Sequence, residues 1–178
     1  QVPSSASLLK NLFDSTLGSA AASIDTGANG IATTYSALFV ALKSQSATSA
    51  TSDSVLVAIN GDTGAHMGRS QVNTSGAGTP GSAQDAYPTV NAHWASTSAA
   101  TASPLVFGNS FAVIPSYADA QSKGMVSLFH YIIATGNIQT GMLGLTWNQT
   151  AAINQLKFTL SSGANFVTGS RLTIWGLP

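Results

Sequence analysis

Few side chains in this sequence are equipped for covalent or metal chemistry. There are three histidines, His66, His93 and His130, and six aspartates, Asp14, Asp25, Asp53, Asp62, Asp85 and Asp119, with no glutamate and no cysteine. The lack of cysteine removes thiol catalysis, Cys-ligated zinc and disulfide frameworks. The histidines lie far apart, and none belongs to an HExxH or His-x-His pair that would seat a metal on one element. A cupin-type centre draws on His and Glu ligands converging inside a barrel, and there is no Glu to supply. Serine is abundant, yet the GxSxG elbow that presents a nucleophile is missing. The aspartates all fall in expected loops, joints or the N-terminal arm, and their spacing brings no two together as a glycoside-hydrolysing pair. His130, between Phe129 and Tyr131, reads as a strand-face histidine. These residues point away from catalysis, and neither a metal nor an organic cofactor is expected.

The densest local motif is Asn60-Gly61-Asp62-Thr63-Gly64. It lacks the repeated Asp/Asn ligands and the terminal Glu of a calcium loop. It reads instead as a strand end followed by a tight turn. Gly61 and Gly64 supply positive φ, and the Asp62 carboxylate caps backbone amides. Asn60, Gly61, Asp62 and Gly64 are therefore assigned to a structural turn. The Asn73 and Asn148 sequons matter only in a glycosylating host.

Composition narrows the partners. The 178 residues suit one domain, long enough for roughly 70% of the unfolded chain's surface to be buried on folding. Charged residues make up 7%, against roughly 25% in an ordinary soluble domain. With a net charge of +0 the chain has no field to gather nucleic acid or anionic lipid, so neither is expected as a partner. At 44% hydrophobic and a mean hydropathy of +0.21 it is too apolar to be disordered. Low charge with positive hydropathy favours a protein that works inside an assembly, where partners cover its surface. The longest near-apolar runs, 36–42 and 125–134, fall short of the ~20 residues of a membrane-spanning helix. The opening residues carry no basic region of a signal peptide.

Two kinds of element are expected. In Ser7 to Leu17, apolar residues at 8, 9, 12, 13 and 17 follow a period of about 3.6, which predicts a short helix with Ser7 as N-cap and Gly18 as terminator. So short a helix is marginal alone and must lie against its own domain or a neighbouring subunit. Residues 1–30 form this N-terminal helical or extended arm, and 31–178 the main domain. From Tyr35 onward the helical period disappears. Strands are expected at Tyr35–Lys43, Ser54–Asn60, Val90–Ser96, Ser110–Ile114, Met125–Ala134, Met142–Trp147, Ile153–Leu160 and Arg171–Leu177. The section from Gly64 to Ser103 holds only one of them. Such a set, punctuated by Gly, Asn and Ser, predicts an all-β antiparallel β-sandwich or jelly roll of about eight strands. No nucleotide-binding glycine loop or βαβ alternation is present.

The succession of Tyr35-Ser36-Ala37-Leu38-Phe39-Val40, Val55 to Ala65 with its Asn-Gly-Asp-Thr-Gly turn, the Ile114-Pro115-Ser116-Tyr117 corner, Ile153-Asn154-Gln155-Leu156, and Asn165 to Leu177 resembles a family of tailed-bacteriophage virion proteins. The likeness is greatest to jelly-roll capsid decoration (cement) proteins and runs from about Ile24 to the C-terminus. Family members often carry an arginine where Lys43 stands and an aromatic residue at His66-Met67, and residues 68–103 match nothing in the family. The resemblance implies a homotrimeric structural protein on the outer surface of an icosahedral head, binding the major capsid protein and stabilising capsomer junctions. It makes Leu8, Leu9, Leu12 and Phe13 the candidate apolar anchors of the arm on capsid or neighbour. Phe166, in the final loop, either plugs the barrel end or touches a copy across a threefold axis. The alternative is a tail or fibre module binding a host surface glycan, with Tyr87, Trp94 and Tyr117 as stacking platforms.

Overall fold

Alternation of apolar and polar residues marks most of the longer segments, and the structure realises it as strand throughout. The computed structural model describes residues 9–74, 80–102, 106–133 and 137–178, with backbone alone for Pro80 and residues 83–89. The chain opens with β1 (Lys10–Thr16), β2 (Ser23–Asp25), β3 (Ala37–Ser44) and β4 (Ser52–Ile59). β5 (Met67–Thr74), β6 (Pro80–Thr89), β7 (Ala92–Ser98) and β8 (Gly108–Pro115) follow. β9 (Lys123–Ile132), β10 (Ile138–Trp147), β11 (Leu156–Leu160) and β12 (Arg171–Leu177) complete it. All these strands pair antiparallel, in a large sheet of eight ordered β1-β12-β3-β8-β9-β10-β5-β6 and a small sheet of four ordered β2-β11-β4-β7. The fold is an all-β antiparallel sandwich of jelly-roll type.

The core lies between the sheets. Leu42, Val40 and Leu38 of β3 stand opposite Leu172, Ile174 and Gly176 of β12, so the first long strand and the last share one packed row. Val55, Val57 and Ile59 of β4 and Phe158 and Leu160 of β11 close over them from the small sheet. Trp94 of β7 meets Phe158 edge-on at 5.1 Å and donates its indole N–H to Ser110 Oγ of β8 at 3.2 Å, tying the two layers together. Each such buried side chain contributes about 1.5–3 kcal/mol relative to exposure.

Two expectations are corrected and an open alternative is decided. The segment 7–17 is not helical where it is described: Lys10–Thr16 forms β1, an edge strand on β12, with a bulge between Asn11 and Phe13. The bulge resets the alternation, so the adjacent Leu12 and Phe13 both reach the core, and this mimics helical spacing. The β12 edge offers a complete row of backbone partners, which a two-turn helix cannot match. The middle of the chain holds β5, β6 and β7 rather than one strand, because Arg69, Ser70, Gln71, Asn73 and Thr74 hide β5 in a polar run. Phe166 is enclosed completely, bridged by its backbone to Ala21 and Ser46, so it plugs the end of the sandwich and has no surface to offer across a threefold axis.

Polar groups sealed at the ends are satisfied. Tyr117, fully buried, donates its hydroxyl to the Ala32 carbonyl, and burial pushes the phenol's pKa up, keeping it a donor. Asp53, also buried, accepts from Ser46 Oγ at 2.8 Å, Ser162 Oγ at 2.5 Å, Ser161 Oγ at 3.0 Å and Ser54 N at 2.8 Å. This carboxylate clasps the β3–β4 loop to the β11–β12 loop. Asp53→Ala is expected to cost about 3 kcal/mol by stranding these donors, which lowers Tm by roughly 10 °C in a chain of this size. A melting temperature within a degree of wild type would show that the clasp contributes nothing.

Candidate functional site

In a two-layer sandwich, strand residues of one parity enter the core and those of the other face outward, where polar side chains are the rule. The large sheet departs from it. Trp175, Phe39, Val113, Val126 and Gly144 share one row across its outer face, and Ala41, Phe111, Leu128, Met142 and Val72 share the next. Phe111, Val113, Val126, Leu128, Met142 and Val72 are 37–53% exposed. Phe39 packs on Phe111 at 5.9 Å and on Trp175 at 5.7 Å between ring centroids, so the three rings form one aromatic cluster. Beside it lies an open trough of about 730 Å³ with Val113 and Pro115 on one side and Ser70 and Thr146 on the other. Its floor holds Gly124 and Gly144, which leave the backbone bare.

Among the described residues, charge on this face stands at the border, apart from Arg69, which also lines the trough. Arg171 of β12 holds Asp14 of β1 through two hydrogen bonds of 2.8 and 2.5 Å, and that guanidinium keeps the carboxyl below its ordinary pKa. Lys43 extends its ammonium over the Phe107 ring at 4.5 Å. His130, exposed, stands between Asn109 and Thr140 one row beyond Phe111 and Leu128. Such a face can bury apolar surface against a partner, and it presents little to orient a charged or heavily hydroxylated ligand.

The residues singled out from sequence fall elsewhere. Leu8 lies outside the described residues. Leu9 is exposed, next to Phe39, Leu177 and Pro178, while Leu12 and Phe13 pack on the protein's own core. Trp94 and Tyr117 are enclosed and cannot serve as sugar platforms; the Tyr87 side chain is outside the described set. The histidines occupy three separate environments. His93 is buried with Arg69, Gln71 and Ser96, and His66 pairs with Asp62. Among the described residues, no three His or Asp side chains gather as metal ligands would.

Asn60 and Gly61 both take left-handed φ, 54° and 63°, and Asp62 N–H donates to the Ile59 carbonyl at 2.9 Å. This is the geometry of a type I′ turn. Gly64 is not left-handed, contrary to expectation. A Cβ there would lie 2.2 Å from the His66 ring, so this glycine makes room for the imidazole. Asn60 Oδ1 accepts from Asn154 N at 2.9 Å and Gln155 N at 3.0 Å, which stitches the turn to the β10–β11 connection. Asp62 accepts from Gly64 N, pairs with His66 Nδ1, and accepts from Trp147 Nε1, each at 2.8 Å. The motif is thus a junction of β4, β5 and β10.

Sequence reasoning missed the outer face, although its signal was present. β8 carries Phe111 and Val113 as well as Ala112 and Ile114, and β9 carries Val126 and Leu128 as well as Met125 and Phe129. Strands apolar on both parities have two faces to cover.

No protein-family model and no curated protein sequence matches the chain. Among solved structures it is similar to the CBM40 of Ruminococcus gnavus IT-sialidase bound to alpha2,3 sialyllactose, at 12% identity and a TM-score of 0.32, covering 92% of this chain and 91% of that one. It is similar to exo-inulinase from Aspergillus awamori at 8% identity and a TM-score of 0.37, covering 97% of this chain and 30% of that one. NanB with Optactamide gives 12% identity and a TM-score of 0.35 over 93% of this chain and 26% of that protein, so this chain spans about a quarter of it. Likeness at this level carries no functional argument.

The Asp62 junction makes stability acid-sensitive. Desolvation raises the carboxyl's pKa, but the donors Trp147, Gly64 and His66 outweigh it, and the net value lies below the ordinary 3.8. Its contribution is therefore full above the unfolded value and lost as pH falls through the folded one. Asp62→Asn is expected to cost about 2 kcal/mol at neutral pH, with the gap to wild type closing below pH 3.8 in urea melts. A gap that stays constant into acid would refute the ionic character of the junction.

Proposed function

We propose that this protein is a structural binding protein that performs no turnover, and that it serves as the decoration (cement) protein on the outer surface of a tailed-bacteriophage head. The observation that carries the binding role is the outer face of the large sheet, apolar across β12, β3, β8, β9, β10 and β5 and bordered by charges that are already engaged. The sequence resemblance supplies the setting, in which the major capsid protein is the partner.

Association costs about 4–15 kcal/mol in lost freedom. Burying half-exposed valines, leucines and phenylalanines returns only about 1 kcal/mol each. One such face therefore binds modestly, and a shell that engages many symmetric copies turns modest contacts into permanent attachment. The neutral, Ser/Thr/Ala-rich remainder suits a protein whose surface is covered in place. Leu9, beside Phe39, extends the apolar face toward the N-terminus, and Leu12 and Phe13 serve the fold instead. With Trp94 and Tyr117 enclosed, no observation favours the glycan-binding alternative.

The test is to label the protein on intact phage particles, image them by electron microscopy and count copies in the same preparation. Label spread evenly over the head, in copies on the order of hundreds, is the expected result. Label confined to the tail tip would overturn the proposal.

A further inference from the structure

The proposed function leaves open what the partner presents to the outer face. Resting on that reading, we infer that the occupant is an extended segment of a partner protein, with one carboxylate at the end of an alternating apolar run, and that Lys43 receives the carboxylate.

The rows of the face differ in kind. Beyond the two apolar rows, the next consists of Arg171, Lys43, Asn109, His130, Thr140 and Thr74. The face therefore runs from apolar to polar and basic along the strands. Its charges do not balance. The Arg171 guanidinium is matched by Asp14. Lys43 rests instead on the Phe107 ring at 4.5 Å, a contact that holds the ammonium in place and leaves its charge uncompensated. Among the described residues no carboxylate pairs with it. His130 stands in the same row and in its protonated form carries the same sign. A carboxylate is favoured at this row, and a cation is repelled.

A hollow of about 310 Å³ joins the two kinds of surface, with Phe39, Ala41 and Phe111 on one side and Lys43, Asn109 and Arg171 on the other. A ligand seated there meets aromatic rings and the ammonium together. One lysine does not hold an ionic ligand alone. Its part is to fix the direction and register of a mainly apolar one.

Rows along a strand repeat every two residues, about 6.8 Å, which is also the spacing of same-side residues in any extended chain. A segment with its carboxylate at Lys43 sets the residue two positions on over Phe111, and the residue four positions on at Val113 and the trough. This path moves one strand sideways in two rows, close to the alignment at which sheets pack face to face. The two apolar rows cover about half of the ~800 Å² per partner of a standard interface. That area suits one or two strands of a partner better than the whole face of a globular copy.

The test is carbodiimide coupling in the intact particle, which joins a lysine amine to a touching carboxylate with loss of water, followed by mass spectrometry of the linked peptides. Lys43 is expected to be joined to an Asp or Glu of another protein, with apolar residues two and four positions from it. This chain has no glutamate, so a Glu adduct identifies a foreign partner outright. Links formed elsewhere in the particle, with none from Lys43 to a foreign carboxylate, would overturn the inference. Rebinding to stripped particles gives the second readout. Lys43 is exposed, so Lys43→Glu and Lys43→Arg are both expected to keep the wild-type melting curve. Lys43→Glu should weaken rebinding on the order of a hundredfold, because it sets like charges together, whereas Lys43→Arg should bind like wild type. Met142→Lys separates the two ideas. Normal rebinding of Lys43→Glu with loss of Met142→Lys would mean that the face docks without a carboxylate, which overturns the inference and keeps the docking role. Normal rebinding of both variants would remove the docking role of the face as well.

Discussion

A two-layer sandwich hides one face of each sheet and leaves the other to solvent, and most of what is distinctive here follows from that constraint. The large sheet has eight strands and its partner four. Its inner face is covered by the small sheet, the end plug at Phe166 and the loop clasp at Asp53. Among the described residues no such layer covers the outer face, and Phe111, Val113, Val126, Leu128, Met142 and Val72 emerge from it across consecutive strands. Nothing in the packing of the described residues against one another requires apolar residues at those positions. Threonine or lysine would sit equally well on a solvated pleat.

The edges and corners around that face are pinned by specific contacts. β1 seals the β12 edge and holds Arg171 through Asp14. Lys123, enclosed at the start of β9, directs its ammonium to the carbonyls of Asp119 and Gln121, and burial pulls its pKa down. The corner between β8 and β9 is thereby fixed, and these two strands carry the centre of the face. At the same end, the Asp62 junction pins Trp147, the last residue of β10, to the turn after β4. In the proposed role rigid edges and corners matter, because ordering a loose surface would consume the small gain from burial.

Much of the fold was legible because alternation was strong where burial is one-sided. β3, β4, β10 and β12 lie close to where their patterns put them, and the Asn60-Gly61 turn could be read from residue type alone. The failures have physical causes. Leu12 and Phe13 adjoin at a bulge, which breaks period two and imitates a helix. β5 is polar because much of its pairing is backbone to backbone and its buried Gln71 is satisfied by His93 and Arg69. Gly64 was assigned to backbone conformation when its role is space for His66. The candidate site was legible in principle, since β8 and β9 are apolar on both parities.

The three methionines provide the most direct test of the claim that the outer face is covered in the working assembly. Met67 and Met125 are 1% and 3% exposed in the core, and Met142 is 51% exposed on the face. Peroxide oxidation of the protein in its native assembly, followed residue by residue by mass spectrometry, separates the two environments. Coverage predicts that Met142 oxidises as slowly as Met67 and Met125, and that it becomes reactive once the assembly is dissociated. Rapid oxidation of Met142 in the intact assembly, at the rate of a free methionine, would contradict the account.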